Sequence, residues 1–347
     1  MSEGTAGPGF AGRVWARTAT LLPGLAAVVV LAAAAEGLGR GVPSVGAPVL
    51  ALCAGVAIRN TAGVPATLIP GIEYTLKRLL RVAIVLFGAT LALGDVVRVG
   101  AGSLAVIVAT ILLALGLTAL VGRWLRAPAR LVSLIGVGTA ICGATAIITV
   151  GPILEAEDDE IAFAVATIFL FNMLAVVVYP LLGHALTLTD RVYGMWAGTA
   201  IHDTSSVLAA SYAYSDAAGQ VATVVKLTRT LMLVPLALAV GIVHSVARTR
   251  AGAGGAVRVD LRRIFPWFIL WFVAAAGIHT LGVLPDSLAR GSALVGKFLI
   301  VMVMAAVGFG ADLRAMRRIG LRPFYIGLAA SVLIAVGSIA LIRLLPS

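Results

Sequence analysis

The chain has 347 residues, of which 61% are hydrophobic and only 12% are charged. Soluble globular proteins carry about 25% charged residues, so this composition excludes an ordinary soluble domain and favours a polytopic membrane protein. The net charge of +11 comes from short basic clusters between apolar blocks. That distribution is typical of cytoplasmic loops and argues against nucleic-acid binding.

Apolar windows of about 20 residues follow a polar stretch at 1–17, which we interpret as a cytoplasmic tail before a single transmembrane domain at 18–347. Eleven helices are predicted, at 18–35, 45–58, 82–94, 104–121, 131–154, 161–182, 193–212, 221–243, 264–281, 292–310 and 325–342. With the amino terminus inside, the basic loops fall inside and the acidic run at 155–160 falls outside. The sequence therefore predicts an all-α, eleven-span protein that is N-in and C-out.

Two of these segments, 131–154 and 193–212, are candidates for discontinuous helices. The first contains GVGTAICGATAI from Gly136, and the second contains GTAIHDTSS from Gly198. Glycine and small hydroxyl residues weaken a continuous helix, and the shared GTAI suggests an internal repeat. A second pattern pairs Gly94-Asp95 with Gly310-Ala311-Asp312, in spans that would be inverted. Inverted repeats with broken helices near the midplane are a common transporter architecture.

Four charged side chains lie within the predicted spans: Lys297 is near the interface, whereas Asp203, Lys226 and Arg229 lie deeper. Inserted unpaired, these last three would together cost on the order of 8–10 kcal/mol, so they must be paired, hydrated or neutralised by a ligand. One carboxylate cannot balance two cations, and we therefore predict an anion site, with Asp203 as counter-charge. His202 and Asp203 are the candidates for proton or ion coupling. A purely structural role, in which the charges only hold the bundle together, is the alternative.

The small polar residues around these charges complete the predicted substrate site. Arginine suits carboxylate, sulfate or phosphate oxygens, and broken helices would add positive potential at their N-termini. Asn172 is either part of this site or a tie between helices. The remaining candidates either line the cavity or simply pack tightly: Gly138, Thr139, Gly143, Thr145, Thr204, Ser205 and Ser206.

Five stretches resemble the YeiH-like sulfate exporter family of bacterial inner-membrane proteins. They are LKRLLRVAIVLFGATL from Leu76, CGATAI from Cys142, the asparagine-containing stretch ending at Tyr179-Pro180, WAGTAIHDTSSVLAA from Trp196 and VVKLTRTLMLVP from Val224. The resemblance implies a multi-pass secondary transporter in the cytoplasmic membrane, related in fold to the bile-acid symporter and sodium/proton antiporter group. His202, Asp203, Lys226 and Arg229 fall on the family's recurring polar positions. Ser205 and Ser206 stand where family members often have glutamine.

We therefore expect a secondary carrier that moves a small anion, such as sulfate, sulfite or an organic sulfonate, by alternating access. Proton coupling through Asp203 or His202 is left open. The alternative is a sodium/proton antiporter in which Asp203 binds the cation. Gly308 to Asp312 only approaches the pattern of intramembrane aspartyl proteases, so no enzyme activity is predicted. No cofactor and no metal are predicted, since Cys53 and Cys142 both lie in apolar segments. The expected partners are the lipid bilayer and a second copy of the chain, with a dimer as the simplest assembly.

Overall fold

The computed structural model describes residues 10–41, 46–250, 260–316 and 321–345. The described residues are helical throughout, with short connections. The helices are α1 Phe10–Gly39, α2 Ala47–Thr61, α3 Ile69–Tyr74, α4 Leu80–Gly88, α5 Leu93–Trp124, α6 Ala129–Ala140, α7 Ala144–Val150, α8 Asp158–Ala185, α9 Asp190–Ala200, α10 Thr204–Tyr214, α11 Asp216–Leu231, α12 Leu233–Arg250, α13 Leu261–Ile264, α14 Phe268–Thr280, α15 Asp286–Gly310, α16 Leu313–Met316 and α17 Leu321–Leu344.

Six of the described helices are long and apolar enough to cross a membrane. They are Thr18–Gly39, Leu93–Trp124, Asp158–Ala185, Asp216–Arg250, Asp286–Gly310 and Leu321–Leu344. The all-helical membrane architecture is therefore confirmed, whereas the count of eleven spans is not. Residues 10–17 of the predicted tail already belong to α1, and residues 1–9 lie outside the described part.

The helices group into two compact units, Met1–Ala83 with Lys297–Asp312 and Ile84–Gly296 with Leu313–Ser347. In the first unit α1 packs closely on α3, because glycines face each other at the contact. A Cβ on Gly24 would lie 2.8 Å from the Gly71 Cα. A second pair of facing glycines lets α2 pack against the end of α15, where a Cβ on Gly55 would lie 3.0 Å from the Gly308 Cα. Small residues at such contacts are typical of helix packing in membranes.

In the second unit, residues 129–155 form a re-entrant hairpin, called hairpin 1 here. Its two legs are α6 and α7, and its tip is 141–143. A continuous helix would hold Arg130 and Leu154 about 36 Å apart at 1.5 Å per residue, yet the two residues line one cavity. The Gly138 face of α6 also meets Ile147 of α7. The chain therefore turns at the tip and returns to the side from which it entered.

Residues 188–215 form a second re-entrant hairpin, called hairpin 2, with legs α9 and α10 and tip 201–203. The Ser215 hydroxyl at its end donates to the Asp190 carboxylate at its start, with an Oγ–Oδ1 distance of 2.6 Å. The Tyr214 hydroxyl donates to the Leu188 carbonyl at 2.5 Å. Both ends of hairpin 2 therefore also lie together.

Helix α8 joins the two hairpins and sets their opposite directions. Its 28 residues span about 42 Å, which exceeds the ~30 Å hydrocarbon core. Hairpin 1 ends where α8 begins, and hairpin 2 starts where α8 ends, so the two hairpins open at opposite ends of this helix. Asn172 is the fifteenth residue of α8 and marks the depth at which the tips meet. Helices α11 and α12 then run back, since Arg248 near the end of α12 pairs with Glu155.

This topology settles one point that the sequence left open and corrects one prediction. Segments 131–154 and 193–212 were counted among the eleven spans, as either broken or re-entrant helices, and each folds back on itself. The acidic run at 155–160 was placed opposite the basic loops, whereas Glu155 contacts Arg248 and lies 4.0 Å from His244. Apolar length alone does not distinguish a crossing from a hairpin, because both need about 20 apolar residues.

Candidate functional site

The tips of the two hairpins meet beside the middle of α8. A Cβ on Gly143 of hairpin 1 would lie 3.7 Å from the Asp203 Cα of hairpin 2. The Asn172 side chain holds hairpin 2 here, because its Oδ1 accepts hydrogen bonds from the backbone amides of His202 and Asp203, at 3.2 and 3.0 Å. Gly143 has φ +65, a conformation that glycine adopts at little cost and that allows the sharp turn at tip 1.

Arg229 of α11 joins the two tips through their backbone carbonyls. Its Nε donates to the Ala140 carbonyl and its Nη2 to the Thr139 carbonyl, both at 2.7 Å. Its Nη1 donates to the Thr199 carbonyl of hairpin 2. The side chain is fully buried, so these carbonyls take the place of water around the guanidinium.

Lys226 repeats this arrangement one turn earlier on α11. Its ammonium donates to the carbonyls of Ile141 and Ile201, both at 2.9 Å, and to that of His202. A lysine ammonium has three hydrogens, so all of its donors are used. Ile141 and Ile201 occupy the same place in the two GTAI sequences, and Lys226 therefore bridges equivalent points of the repeat.

Both cations thus cap helix C-termini. Helices α6 and α9 end at Ala140 and Ala200, where the last carbonyls have no partner within the helix and carry partial negative charge. Among the described residues, neither Lys226 nor Arg229 forms an ion pair with a carboxylate. Asp203 is therefore not paired directly with either cation, and both cations are buried; their role in binding an anion stays a prediction.

Asp203 instead caps the N-terminus of α10. Its Oδ2 accepts a hydrogen bond from the Ser205 backbone amide at 2.9 Å and another from the Ser205 hydroxyl. An aspartate at this position satisfies a free helix amide and interacts favourably with the helix dipole. Unlike the two cations, Asp203 remains partly exposed.

The His202 side chain reaches a different helix from those that hold the cations. Its Nε2 lies 3.0 Å from the Ser331 hydroxyl of α17, at the wall of a cavity of about 400 Å³. The rest of the lining is apolar and includes Phe171, Tyr179 and Trp196. The backbone of His202 belongs to the tip, whereas its side chain contacts a different environment.

Comparison with known proteins agrees with this membrane architecture. The family described as conserved hypothetical protein 698 matches residues 23–327. A UPF0324 membrane protein of Clostridium tetani is 36% identical over 303 residues, covering 85% of this chain and 88% of the relative. Another, from Streptococcus pyogenes serotype M3, is 39% identical over 329 residues, covering 92% and 96%. A third, from Fusobacterium nucleatum, is 34% identical over 344 residues, covering 93% and 98%. The chain belongs to the UPF0324 membrane protein family.

This UPF0324 protein is accordingly a multi-pass membrane protein, and the YeiH-like resemblance fits the family. The relatives are named for the membrane alone, so the substrate must be inferred from the site. Within the described residues, no cluster of His, Cys, Asp or Glu could hold a metal ion.

The other predicted site residues divide by exposure. Gly138 packs against Ile147 and Ile168, the Thr139 hydroxyl is buried with no hydrogen-bond partner among the described residues, and Ser206 is buried. Thr145 is exposed and Thr204 partly so. The accessible part of the UPF0324 tips is therefore the start of α7 and α10, together with the partly exposed Asp203.

Sequence reasoning missed the groups that bind the two cations, since they are backbone carbonyls: Thr139, Ala140, Ile141, Thr199, Ile201 and His202. The repeated GTAI was the available signal, because both copies end a helix at the same alanine. No sequence pattern indicated that Ser331 would contact His202.

Proposed function

We propose that this UPF0324 protein is a secondary active transporter that moves a small anion across the bacterial cytoplasmic membrane by alternating access. The observation that carries the proposal is the meeting of two oppositely opening hairpins at Lys226 and Arg229. Broken helices that meet at mid-depth place a binding site where it can be reached from either side in turn. The exposed start of α7 and the partly exposed Asp203 and Thr204 form the substrate-contacting surface in this proposal.

The charges at the tips support an anion that travels with a proton. Lys226 and Arg229 contribute two positive charges. The C-termini of α6 and α9 together contribute about one negative charge, and the N-termini of α7 and α10 contribute about one positive charge. With Asp203 ionised the tips therefore carry about one positive charge, and protonation of Asp203 raises this to about two. The tips are positive in both states and attract an anion more strongly when Asp203 is protonated, which supports a small anion such as sulfate, sulfite or an organic sulfonate.

The main competing function is a sodium/proton antiporter that uses Asp203. Sodium prefers oxygen ligands, and the carbonyl oxygens of both tips could supply them. Six of these carbonyls already accept hydrogen bonds from Lys226 or Arg229. A cation would have to displace a buried side chain to reach them, which makes the anion the better-supported substrate.

Transport by the purified protein in proteoliposomes tests the proposal. We expect uptake of sulfite or methanesulfonate without sodium, stimulated by an inward proton gradient. Asp203→Asn should leave uptake that no longer responds to the proton gradient, because the titrating carboxylate is gone. Asp95→Asn is the matched control, since this exposed carboxylate pairs only with Arg98 among the described residues. Anion uptake that requires sodium would contradict proton coupling, and sodium/proton exchange without anion movement would support the antiporter instead.

A further inference from the structure

A second cavity, of about 660 Å³, lies at the open end of hairpin 1 between α5, α6 and α12. Its wall is formed mainly by small and apolar side chains, among them Leu115, Ala119, Val137, Leu236 and Val240. The cavity runs from Gly136, one turn from the tip, to Arg130 and His244 at the open end. It therefore has an apolar interior and a basic entrance.

The basic character of the entrance extends into the α5–α6 connection. Arg123, Arg126 and Arg130 are exposed, and no ion pair holds any of the three within the described part of the chain. Of the acidic residues at the same end, Glu155 is paired with Arg248, and Glu157 and Glu160 form the capping box of α8. An anion at this entrance would thus meet guanidinium groups that no ion pair among the described residues engages.

An exposed tryptophan indicates how deep this entrance lies in the membrane. Trp124 is 81% exposed and ends α5 beside the arginines, in the position that tryptophan prefers at the membrane–water interface. The Nε2 of His244 forms no hydrogen bond among the described residues and lies 4.0 Å from the Glu155 carboxylate. The position of Trp124 therefore places the entrance at the level of lipid headgroups.

We propose that this cavity binds an anionic phospholipid, with one acyl chain between α6 and α12 and the phosphate at Arg130. Basic pockets between membrane helices are known to recognise acidic headgroups. A free inorganic anion would use the arginines but leave the apolar interior empty, and a zwitterionic lipid would fill the interior but gain less from the arginines. Only an anionic lipid satisfies both parts. This inference concerns lipid binding and does not rest on the transport proposal.

The position of the cavity gives the lipid a role in holding hairpin 1. Helices α6 and α12 form two of its walls, and the Glu155–Arg248 pair joins the end of hairpin 1 to the end of α12. An acyl chain between the same two elements would fill the space that this pair spans. Removal of the lipid should therefore loosen hairpin 1 in particular.

Native mass spectrometry of the purified protein, titrated with phosphatidylglycerol or phosphatidylcholine, tests the proposal. We expect phosphatidylglycerol to bind at least fivefold more tightly than phosphatidylcholine. Arg130→Gln should remove that preference, while Ala119→Phe should weaken both lipids by filling the cavity. Arg343→Gln, a matched exposed arginine at the end of α17, and Leu120→Phe, next to Ala119 but outside the cavity lining, should change neither affinity.

Three outcomes would overturn the proposal. Equal binding of the two lipids by the unmodified protein would show that the arginines do not select the headgroup. Equal losses for Arg130→Gln and Arg343→Gln would show a general charge effect. Displacement of phosphatidylglycerol by millimolar inorganic phosphate would show that the anion binds without the acyl chain.

Discussion

The two hairpins carry the same four residues, GTAI, where the first leg of each reaches the tip, but they are stabilised in different ways. Hairpin 2 is stabilised by contacts between its own legs: the Tyr193 and Tyr214 rings stack with centroids 3.8 Å apart, and the Tyr193 hydroxyl donates to the Ala210 carbonyl at 3.2 Å. Hairpin 1 has a shorter second leg of seven residues, and its end contacts α12 through the exposed Glu155–Arg248 pair. The two hairpins therefore share their cation-binding residues and differ in their legs.

This difference suggests that hairpin 2 is rigid and that hairpin 1 is mobile. Buried aromatic stacking with satisfied hydroxyl groups gives a stable contact, whereas exposed ion pairs contribute little and exchange readily with water. We therefore expect hairpin 2 to keep its shape during transport and hairpin 1 to move.

The largest effect should come from Arg229, which joins both hairpins. Arg229→Met leaves three buried carbonyls without donors, at about 1–3 kcal/mol each, so we expect a loss of stability on the order of 3–9 kcal/mol and no transport. Arg229→Lys keeps the charge but loses the planar fork, and should lie between. Thermal unfolding in detergent measures both variants. If Arg229→Lys matches the unmodified protein, charge alone holds the tips, and their carbonyl geometry is not essential.

A substitution at Gly183 tests whether the tyrosine stack stabilises hairpin 2. A Cβ at this position of α8 would lie 2.4 Å from the Tyr193 ring, so Gly183→Ala should disturb the tyrosine stack and cost about 1–3 kcal/mol, as overpacking does. Gly116→Ala in α5 is the matched control, since nothing lies within 4 Å of its new methyl group. Hydrogen exchange should rise in hairpin 2 for the first variant only. Equal hydrogen exchange in both variants would show that the tyrosine stack does not stabilise hairpin 2.

Asn172 tests whether α8 fixes one tip or both. Its Oδ1 binds two amides of tip 2, so Asn172→Ala should release those amides at a cost of about 1–3 kcal/mol. Hydrogen exchange should increase at His202 and Asp203 and change little at residues 141–143. Faster exchange in both tips would mean that the tips move as one body, contrary to the difference in mobility proposed above.

The sequence predicted the membrane class and the positions of the buried polar residues, but not whether each apolar segment crosses the membrane or folds back. The apolar length, the buried charges and the repeated GTAI correctly indicated an all-helical membrane protein with two unusual segments. The sequence left open whether these segments cross or return, because contacts between residues far apart in the sequence decide it, such as Ser215 with Asp190. The partners of Lys226 were missed for a related reason: backbone carbonyls have no letter in the sequence, so an anionic ligand was predicted to balance the two cations.

The smallest effect on stability, and the sharpest test of mobility, should come from Glu155. Glu155→Gln removes an exposed ion pair with Arg248, which is worth about 0–1 kcal/mol, so the unfolding temperature should barely change. If hairpin 1 is the moving element, however, its equilibrium should shift and its hydrogen exchange should rise, with hairpin 2 unaffected. Asp190→Asn provides the matched change at the open end of hairpin 2, where the tyrosine stack should maintain the structure. Equal responses of the two hairpins would show that both are held alike, despite their different legs.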